Sequence, residues 1–395
     1  MKLQRVKYKD IEQPLPFSIP KDFKTDFQGS APAPFIGRYG YPNVNIGILS
    51  PQYSGDTSYY DSPHLWNRGN FSIPQVANMR YGLVNSKTKS NIHTLRGKFL
   101  DICQEVGTAK KAVEVEVNLQ DKPHFTQKPE FDITPFGPQA ELKNVRITAN
   151  PKIDSHVEKA VRDTDLKSSE GLQILYQKGI EESNLSKILS VGTLGLQHNR
   201  KLVPTRWSIT AVDDTIGKKL IAEIKEFPCG EFSFFAGGGW GNYYFFLFFP
   251  TPWSYELFET YLNKEVNPWS KDGFAYSTDY ENYHERKTYA EETAGGYYAA
   301  RLPVAEKMKE LKRQYSCLAL RFITPEYTTP LGVWVCREAS RKSLAQKPLI
   351  FASQELLLQY AKEYVLRKFG FNLDSLLHES RLLKQQREQK TLLNF

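Results

Sequence analysis

The amino-acid sequence predicts an α/β protein, with mixed α+β as the alternative, because short strand patterns and helical patterns follow one another along the chain. Apolar residues alternate with polar residues over 113–119, which is the period-two pattern of a half-buried strand. The aromatic run at 243–249 is closed by Pro250 and predicts a strand that is covered on both faces. Helical spacing recurs before and after this run. We therefore expect a two-part globular core that ends in a flexible C-terminal tail.

The first half of the chain predicts short elements. Residues 1–34 are rich in Pro, Lys and Asp and predict an irregular arm, and the glycine-rich stretch after it predicts strands and tight loops. A helix is expected around 73–84. Helical periodicity over 154–183 is interrupted near Ser169 and Gly171.

The middle of the chain is expected to pass from strand to helix. Residues 209–212 have the character of a buried strand end. Asp213 or Asp214 would then cap a helix, since a carboxylate before an apolar helical stripe is a common N-cap. The stripe consists of Ile216, Leu220, Ile221 and Ile224.

The second half predicts a further helix–strand alternation. After the aromatic strand, the spacing and patterning predict helices over 254–264, 296–314 and 353–368, and strands over 317–323 and 332–337. Gly370 is a stop signal for the last helix. The charged stretch beyond it, with an intermittent leucine stripe, predicts either a short helix or a linker.

Charge gives a weak indication of the partner. The chain has 395 residues, with 52 Lys and Arg against 44 Asp and Glu, which gives a formal net charge of +8. This excess is compatible with a polyanion partner but does not require one.

Cysteine spacing and the apolar runs exclude several classes of protein. The four cysteines are far apart and form no C-x-x-C pair, which argues against a zinc module and a disulfide scaffold. The N-terminus has no apolar stretch typical of a signal peptide, and the longest apolar run, 243–249, is far shorter than the roughly 20 residues that span a bilayer. We expect a cytoplasmic protein without a membrane partner.

The segment RWSITAVDD at 206–214 contains candidate functional residues. Arg206 suits a phosphate or carboxylate, Trp207 suits stacking on a base, and Asp213 with Asp214 could hold a divalent metal. The alternative for the carboxylates is a capping role, which we favour, since an Asp before a helix is most often an N-cap.

A second cluster lies at 279–301, where charged residues are interleaved with tyrosines. Cations that meet phosphates and rings that stack on bases are what a nucleotide or single-strand groove needs. The alternative is a solvated junction whose tyrosines pack against the core. The candidate catalytic residues here are His284 and Glu285, and the candidate nucleic-acid or nucleotide contacts are Arg286, Lys287, Tyr297 and Arg301.

The last seven residues, QKTLLNF, predict a docking peptide. Gln389, Leu392 and Phe395 recur every third residue, so a 3₁₀ turn would project all three from one side. This spacing resembles the PCNA-interacting peptide by which proteins attach to the DNA sliding clamp, although the usual second aromatic is missing. The alternative is an amphipathic end that folds back on the core.

Taken together, six segments resemble the archaeal Nre family of DNA-repair proteins and occur in the same order: GRYGYPNVNIG (37–47), DSPHLW (61–66), PFGPQAEL (135–142), VPTRWSITAVDD (203–214), RKTYAEETAGGYYAARL (286–302) and TTPLGVWVCRE (328–338). The resemblance implies a family N-terminal domain at 35–270, a C-terminal domain at 271–370, and a tail at 371–395 with the clamp peptide at 389–395. It implies DNA repair with PCNA and DNA as partners, at the nucleoid. Some relatives carry a cysteine-rich zinc module, which is not expected here because no cysteine precedes Cys103.

Two functional hypotheses follow. The first is a clamp-tethered repair factor that binds DNA, where tethering compensates for a modest charge. The second is a metal- or nucleotide-dependent enzyme of nucleic-acid chemistry, such as a nuclease or a nucleotidyl or ADP-ribosyl transferase. Its site would lie around 206–214 and 284–301. The sequence leaves the cofactor, the metal and the catalytic status undefined.

Overall fold

The computed structural model of the chain describes residues 4–5, 22–125, 134–262 and 275–388. These residues form two compact units. The N-terminal unit comprises Leu15–Ile216 with Thr329–Gly332, and the C-terminal unit comprises Met1–Pro14, Gly217–Thr328 and Val333–Phe395. Both units combine helices with a mixed sheet, which confirms the predicted mixed α/β class. The predicted domain junction at 270–271 lies outside the described residues.

The N-terminal unit is built on a six-stranded sheet with the order β2-β6-β7-β5-β4-β3. Neighbouring strands are antiparallel, except that β5 and β7 are parallel. The strands are β2 (Asp26–Ala31), β3 (Ala33–Ile36), β4 (Asn43–Ser50), β5 (Val84–Asn91), β6 (Val113–Leu119) and β7 (Gln139–Ile147). The alternating pattern over 113–119 is therefore a strand, as predicted, and its four apolar side chains are buried.

The helices of this unit are α1 (Pro63–Arg68), α2 (Ile73–Tyr81), α3 (Lys98–Thr108), α4 (Ser155–Arg162), α5 (Ser168–Gln177) and α6 (Glu182–Ser190). The predicted helix around residue 73 is confirmed and begins in a capping box of Ser72 and Gln75. The predicted interruption near Ser169 and Gly171 is wrong, because both residues lie inside α5 and the helical stretch is broken before Ser168. The core packs α3 against the sheet and includes Ile46, Cys103 and Val115.

Helix α7 (Thr205–Ile224) contributes residues to both units. The predicted strand end at 209–212 is therefore wrong. Pro204 precedes the first turn, where proline is well tolerated because the first helical N–H groups have no partner within the helix. The helix consequently begins eight residues before Asp213.

The C-terminal unit is built on a seven-stranded sheet with the order β1-β11-β10-β12-β9-β8-β13. The β1–β11 and β10–β12 pairs are parallel and the other pairs are antiparallel. The strands are β1 (Gln4–Arg5), β8 (Phe232–Gly239), β9 (Asn242–Phe249), β10 (Ser254–Tyr261), β11 (Ala275–Glu281), β12 (Ser316–Ile323) and β13 (Leu349–Phe351). Its helices after α7 are α8 (Gly295–Leu311), α9 (Trp334–Leu344), α10 (Gln354–Phe369), α11 (Asp374–Glu379) and α12 (Arg381–Glu388).

Helices α10, α11 and α12 cover one face of this sheet. Leu357, Leu376 and Leu382 join Phe245 and Leu320 in one buried cluster. Ser353 caps α10 and Gly370 ends it with a φ of 64°, which confirms the predicted helix and its stop signal. Between Gly370 and Glu388 the chain forms the two short helices α11 and α12, whose leucines are part of the core.

Two predicted elements of this unit have the wrong type. The segment predicted as a helix over 254–264 is the strand β10, which lies between β11 and β12 in the middle of the sheet and is buried along its whole length. The segment predicted as a strand over 332–337 is the start of α9. The predictions for 243–249, 296–314 and 317–323 are confirmed as β9, α8 and β12.

Candidate functional site

The face of the C-terminal sheet that lies opposite α10–α12 carries buried charged and phenolic side chains. Strand register places Tyr255 opposite both Glu281 and Cys317, and places Glu259 opposite Arg321. Arg321 is in turn opposite Tyr244. Because side chains alternate between the two faces of a strand, these residues share one face, which we call the polar face.

Arg321 occupies the middle of the polar face. Its guanidinium donates to Glu259 Oε1 at 2.5 Å and to Asn242 Oδ1 at 2.9 and 2.5 Å. Both members of the ion pair are nearly fully buried. The first turn of α8 lies against this pair, since a Cβ atom at Gly296 would be 2.6 Å from Glu259 Oε1. Glycine at this position lets the helix backbone approach the carboxylate.

A second buried ion pair joins α8 to β11. Arg301 Nη1 donates to Glu281 Oε2 at 2.8 Å, and neither side chain is exposed to solvent. The Arg301 guanidinium carbon also lies 5.8 Å and 5.3 Å from the ring centroids of Tyr297 and Tyr298. A buried charge of this kind is tolerated because it is paired and because the rings add attraction.

Two phenols border this pair. The rings of Tyr255 and Tyr297 meet edge to face at 5.1 Å. Burial raises the pKa of both hydroxyls well above the ordinary value of 10.0, so both are neutral phenols at physiological pH. In the part of the chain that the structure describes, neither hydroxyl nor Glu281 Oε1 has a hydrogen-bond partner, although all three are buried. A buried polar atom without a partner calls for an explanation, such as an ordered water or a bound ligand.

Asp279 holds the turn that leads into α8. Its Oδ2 accepts hydrogen bonds from the N–H groups of Glu292 and Thr293, at 3.0 and 2.8 Å, and from Thr293 Oγ1 at 2.9 Å. Its Oδ1 pairs with Arg286 Nη1 at 3.1 Å. A carboxylate near a helix N-terminus is favoured by the helix dipole, so Asp279 stabilises the turn and the start of the helix together.

The predicted nucleic-acid contacts Arg286, Tyr297 and Arg301 are brought together here, but they are engaged inside the unit. Arg286 donates to the carbonyl oxygens of Tyr280, Thr288 and Tyr289 in addition to its ion pair. Tyr297 and Arg301 are fully buried. Their contacts fix the conformation of the 282–294 segment, and a role in binding a nucleotide stays a prediction.

The other predicted residues of this segment are more exposed. His284 and Lys287 are exposed. The backbone N–H of His284 donates to Asn282 Oδ1 at 2.9 Å, and its ring lies edge-on to Tyr283. Glu285 pairs with Lys225 at 2.6 Å. The predicted catalytic roles of His284 and Glu285 stay predictions.

The residues predicted at 206–214 lie along α7 in the N-terminal unit. Arg206 and Trp207 are in its first turn, while Asp213 is buried and Asp214 is half-buried in its interior. Successive helical residues point about 100° apart, so the two carboxylates are directed differently. The capping role is wrong because the helix already begins at Thr205.

The two halves of the predicted joint site therefore belong to different units, and their assembly into one site stays a prediction. Within the described ranges there is no group of three or more His, Cys, Asp or Glu side chains that could hold a metal ion. None of the described helices is long and apolar enough to cross a membrane.

The predicted clamp-binding residues Gln389, Leu392 and Phe395 lie outside the described residues. The helix that precedes them is fixed in position. Glu256, on the other face of the sheet from Glu259, accepts hydrogen bonds from Ser380 Oγ at 2.5 Å and from the N–H groups of Arg381 and Leu382 at 2.9 and 3.0 Å. A buried carboxylate therefore caps α12, which is described up to Glu388.

Sequence reasoning missed Glu259, Arg321 and Tyr255. The available signal was the pair of glutamates, Glu256 and Glu259, inside an otherwise apolar and aromatic segment. Residues three apart fall on opposite faces of a strand, so each glutamate needs its own partner there. In a helix the two glutamates would be neighbours on one face, and the segment was predicted to be a helix.

Two family models match the chain. The model "Archaeal Nre, N-terminal" matches residues 16–269, and "Archaeal Nre, C-terminal" matches residues 281–395. Among curated proteins, the chain is 36% identical over 373 residues to the "DNA repair protein NreB" of Archaeoglobus fulgidus. The matched region covers 94% of this chain and 92% of the relative. It is 36% identical to the "DNA repair protein NreA" of the same organism, over 88% of each chain.

A third relative, the "DNA repair protein NreA" of Haloferax volcanii, is 35% identical over 80% of this chain and 77% of its own length. No solved structure matches the chain.

Proposed function

Because this chain belongs to the archaeal Nre family, we propose that it acts in DNA repair, in association with the PCNA sliding clamp. The observation that carries the proposal is the similarity to three proteins named DNA repair proteins, which extends over 80 to 94% of the chain. A similarity of this extent includes both units and is not confined to one shared module. On this proposal the protein works at the nucleoid, where clamp and DNA are found.

The clamp association rests on the spacing of Gln389, Leu392 and Phe395. One amide and two apolar side chains on one side of a turn fit a shallow apolar pocket with a polar rim. The fixed position of α12 supports this arrangement, since the peptide directly follows Glu388, the last described residue of a helix whose start Glu256 caps. A peptide attached without a long linker keeps the folded body close to the clamp and raises the local concentration of the protein at DNA.

The test is a titration of the full-length protein with purified clamp. Phe395→Ala should weaken binding by about 30-fold, since a buried aromatic anchor contributes roughly 2 kcal/mol. Asn394→Ala is the matched control, because residue 394 is outside the every-third-residue spacing and should leave the affinity unchanged. Equal affinities of the wild type and the Phe395 variant would exclude the peptide as the attachment. Survival of cells after DNA damage, measured with the same chromosomal variants, tests whether attachment is needed for repair.

A second candidate function is a nucleotide-dependent enzyme of nucleic-acid chemistry, including nucleotidyl and ADP-ribosyl transfer or nuclease activity. The observation in its favour is the set of buried polar atoms at Tyr255, Tyr297 and Glu281 beside the Arg301 guanidinium. Mass spectrometry of the native protein would detect a co-purifying nucleotide, and elemental analysis would detect a metal. A bound nucleotide that is lost in Tyr297→Phe, which keeps the ring and the Arg301–Glu281 pair, would support this function. A protein that is free of ligand, and that repairs normally with Tyr297→Phe, would contradict it.

A further inference from the structure

Three exposed aromatic side chains lie at one edge of the N-terminal unit. Tyr39 and Tyr41, in the loop between β3 and β4, are 60% and 46% exposed, and Trp207, in the first turn of α7, is 45% exposed. The ring centroids of Tyr41 and Trp207 are 5.3 Å apart, with an angle of 53° between the ring planes. Large aromatic side chains grouped at a surface are unusual in a protein that does not use them to bind a partner. We call this group the aromatic edge.

The fold brings three separate segments together at the aromatic edge. Ile36, at the end of β3, donates its N–H to Thr205 Oγ1 at 2.9 Å and so fixes the tyrosine loop to the start of α7. The N–H of Ile92 donates to the carbonyl of Pro42 at 3.0 Å, and the N–H of Leu202 donates to the carbonyl of Ile92 at 2.9 Å. The loop at 37–42, the turn after β5 and the stretch before α7 are therefore neighbours.

The tyrosine loop itself has a fixed backbone. The N–H of Asn43 donates to the carbonyl of Gly40 at 2.8 Å, and Gly40 has a φ of 83°, which favours glycine. Asn91 on β5 donates a side-chain hydrogen bond to Asn43 Oδ1 at 2.9 Å. The guanidinium of Arg38 lies 4.8 Å from the ring centroid of Tyr39 and donates to its hydroxyl at 2.9 Å. The rings are thus presented by a preorganised loop, which reduces the entropy lost on binding.

The charged residues within the segments around the aromatic edge are basic, although Arg80 and Lys187 pair with Asp61, and Lys87 with Glu141, outside these segments. None of the residues in 27–55, 62–100 and 183–212 is Asp or Glu, although each stretch contains basic residues. Lys89 near the end of β5, Arg96 in the turn after it, and Lys201 before α7 are exposed. Cations that are not neutralised by carboxylates of the same segments attract a polyanion.

We propose that the aromatic edge and its basic surroundings bind single-stranded DNA, with Tyr41 and Trp207 stacked on unpaired bases and Lys89, Arg96 and Lys201 near the phosphates. Stacking requires an exposed base face, which a duplex hides and a single strand offers. The positive surroundings match the charge of a nucleic-acid backbone and not that of an apolar protein surface. The inference rests on the proposed function and specifies the form of DNA that the protein contacts.

The experiment is a fluorescence-anisotropy titration, in which the full-length protein is added to a labelled oligothymidine. An oligothymidine of about 20 nucleotides is long enough to cover such a site. We expect Tyr41→Ala combined with Trp207→Ala to weaken binding at least about tenfold, because base stacking on aromatic rings is lost. Tyr59→Ala is the matched control. It removes an equally exposed tyrosine of the same unit, 43% exposed, which lies between Asp56 and Asp61.

A conservative variant keeps the experiment independent of folding. Trp207→Phe retains a stacking face and should retain most of the affinity. The quenching of tryptophan fluorescence by the oligonucleotide should be smaller in this variant, because the exposed Trp207 is removed whereas Trp66, Trp253 and Trp334 are buried. When Lys89, Arg96 and Lys201 are replaced by Gln, the affinity of the variant should depend less on salt between about 50 and 200 mM than the affinity of the wild type does.

The proposal would be overturned by no binding of single-stranded DNA by the wild type, by an equal loss of affinity in the Tyr59 and Tyr41–Trp207 variants, or by tighter binding of a duplex of the same length. A wild type that binds single-stranded RNA and not DNA would also overturn it. Survival after DNA damage is measured separately. If cells need the protein to survive DNA damage but the purified protein does not bind single-stranded DNA, this inference is disproved and the repair role stays in place.

Discussion

In the C-terminal unit the guanidinium groups of Arg286, Arg301 and Arg321 form ion pairs with carboxylates of the same unit. In the N-terminal unit the exposed cations at the aromatic edge lie in segments that contain no carboxylate. Arg301 and Arg321 are buried and Arg286 is partly buried, so their charges contribute to the conformation of the unit. The second set is accessible to solvent, so its charges are available to a polyanion. The comparison indicates that a basic and tyrosine-rich sequence is weak evidence for a binding surface until its burial is known.

The largest effect is expected from breaking a buried pair on the polar face. Arg301→Ala leaves the Glu281 carboxylate buried without its guanidinium partner, and we expect the free energy of unfolding to fall by about 3–5 kcal/mol. Guanidinium chloride unfolding followed by circular dichroism measures this change.

The control for this variant is an exposed arginine of the same unit. Arg367 pairs with Glu363 in α10 at 3.7 Å, and both side chains are largely exposed. Arg367→Ala should change the free energy of unfolding by less than about 1 kcal/mol. If the two alanine variants unfold at the same denaturant concentration, the buried pairs do not stabilise the unit as proposed.

A smaller effect is expected from adding one methyl group beside the buried Glu259–Arg321 pair. In Gly296→Ala the new Cβ would be 2.6 Å from Glu259 Oε1, and Glu259 is held by Arg321. The carboxylate or the helix has to shift, which we expect to cost about 1–3 kcal/mol in thermal or chemical unfolding.

The same substitution at Gly171 tests whether this cost depends on position. Gly171 lies within α5, and a Cβ there would be 3.4 Å from Leu166 Cδ2, which is an ordinary contact. Gly171→Ala should therefore stabilise the protein by up to about 1 kcal/mol through helix propensity. A Gly296 variant that is equally stabilised would show that the polar face is loosely packed.

The buried phenols predict instability at alkaline pH. Burial raises the pKa of Tyr280 to about 12 and that of Tyr297 well above 10. An unfolded tyrosine ionises near pH 10. Above that pH the unfolded chain therefore releases protons that the folded chain retains, so stability is fully present below pH 10 and is lost as the pH rises further.

Tyr297→Phe isolates one contribution. The variant keeps the ring, and in the described part of the chain the Tyr297 hydroxyl makes no hydrogen bond that would be lost. Between pH 9 and 11 its melting temperature should fall less than that of the wild type. Parallel declines would contradict the assignment of this alkaline sensitivity to Tyr297.

The smallest effect on stability is expected at the aromatic edge. Tyr41 and Trp207 are about half exposed, so Tyr41→Ala and Trp207→Ala should each change the free energy of unfolding by no more than about 0.5 kcal/mol. Urea unfolding of the two variants measures this. A loss of several kcal/mol would mean that these rings are structural, as the polar-face residues are.

The sequence correctly predicted those helices and strands that are specified by residues close together in the chain. The alternation over 113–119, the Ser353 cap and the Gly370 stop all depend on residues near one another in sequence, and the structure contains the strand and helix that they predict. The strand β10 was missed because its neighbours β11 and β12 come later in the chain, and so do the partners of its glutamates. Arg321 of β12 pairs with Glu259, and Ser380 with the start of α12 binds Glu256. The start of α9 was missed because the valines of GVWVCR favour strand, and packing against β8 and β9 overrides that preference.

The sequence predicted which residues are grouped at the candidate site, but it did not predict how these residues are paired. The sequence identified Arg286, Tyr297 and Arg301 as a group, and the structure places them together. It did not indicate that Asp279 and Glu281 neutralise the two arginines, because those pairs connect a strand to residues 7 and 20 positions later. Trp207 was identified, but its neighbour Tyr41 is far away in sequence and becomes apparent only from the fold.

The comparison between the two regions can be tested most directly by mapping where single-stranded DNA lies on the full-length protein. An oligothymidine in which iodo-substituted uracil replaces some bases is crosslinked by ultraviolet light, and the attached peptides are identified by mass spectrometry. We predict crosslinks on the peptides that contain Tyr39, Tyr41 and Trp207, reduced by excess unlabelled oligonucleotide. Crosslinks concentrated instead on 279–301 would contradict the account, because the tyrosines and arginines of that segment would then be the ones that contact DNA.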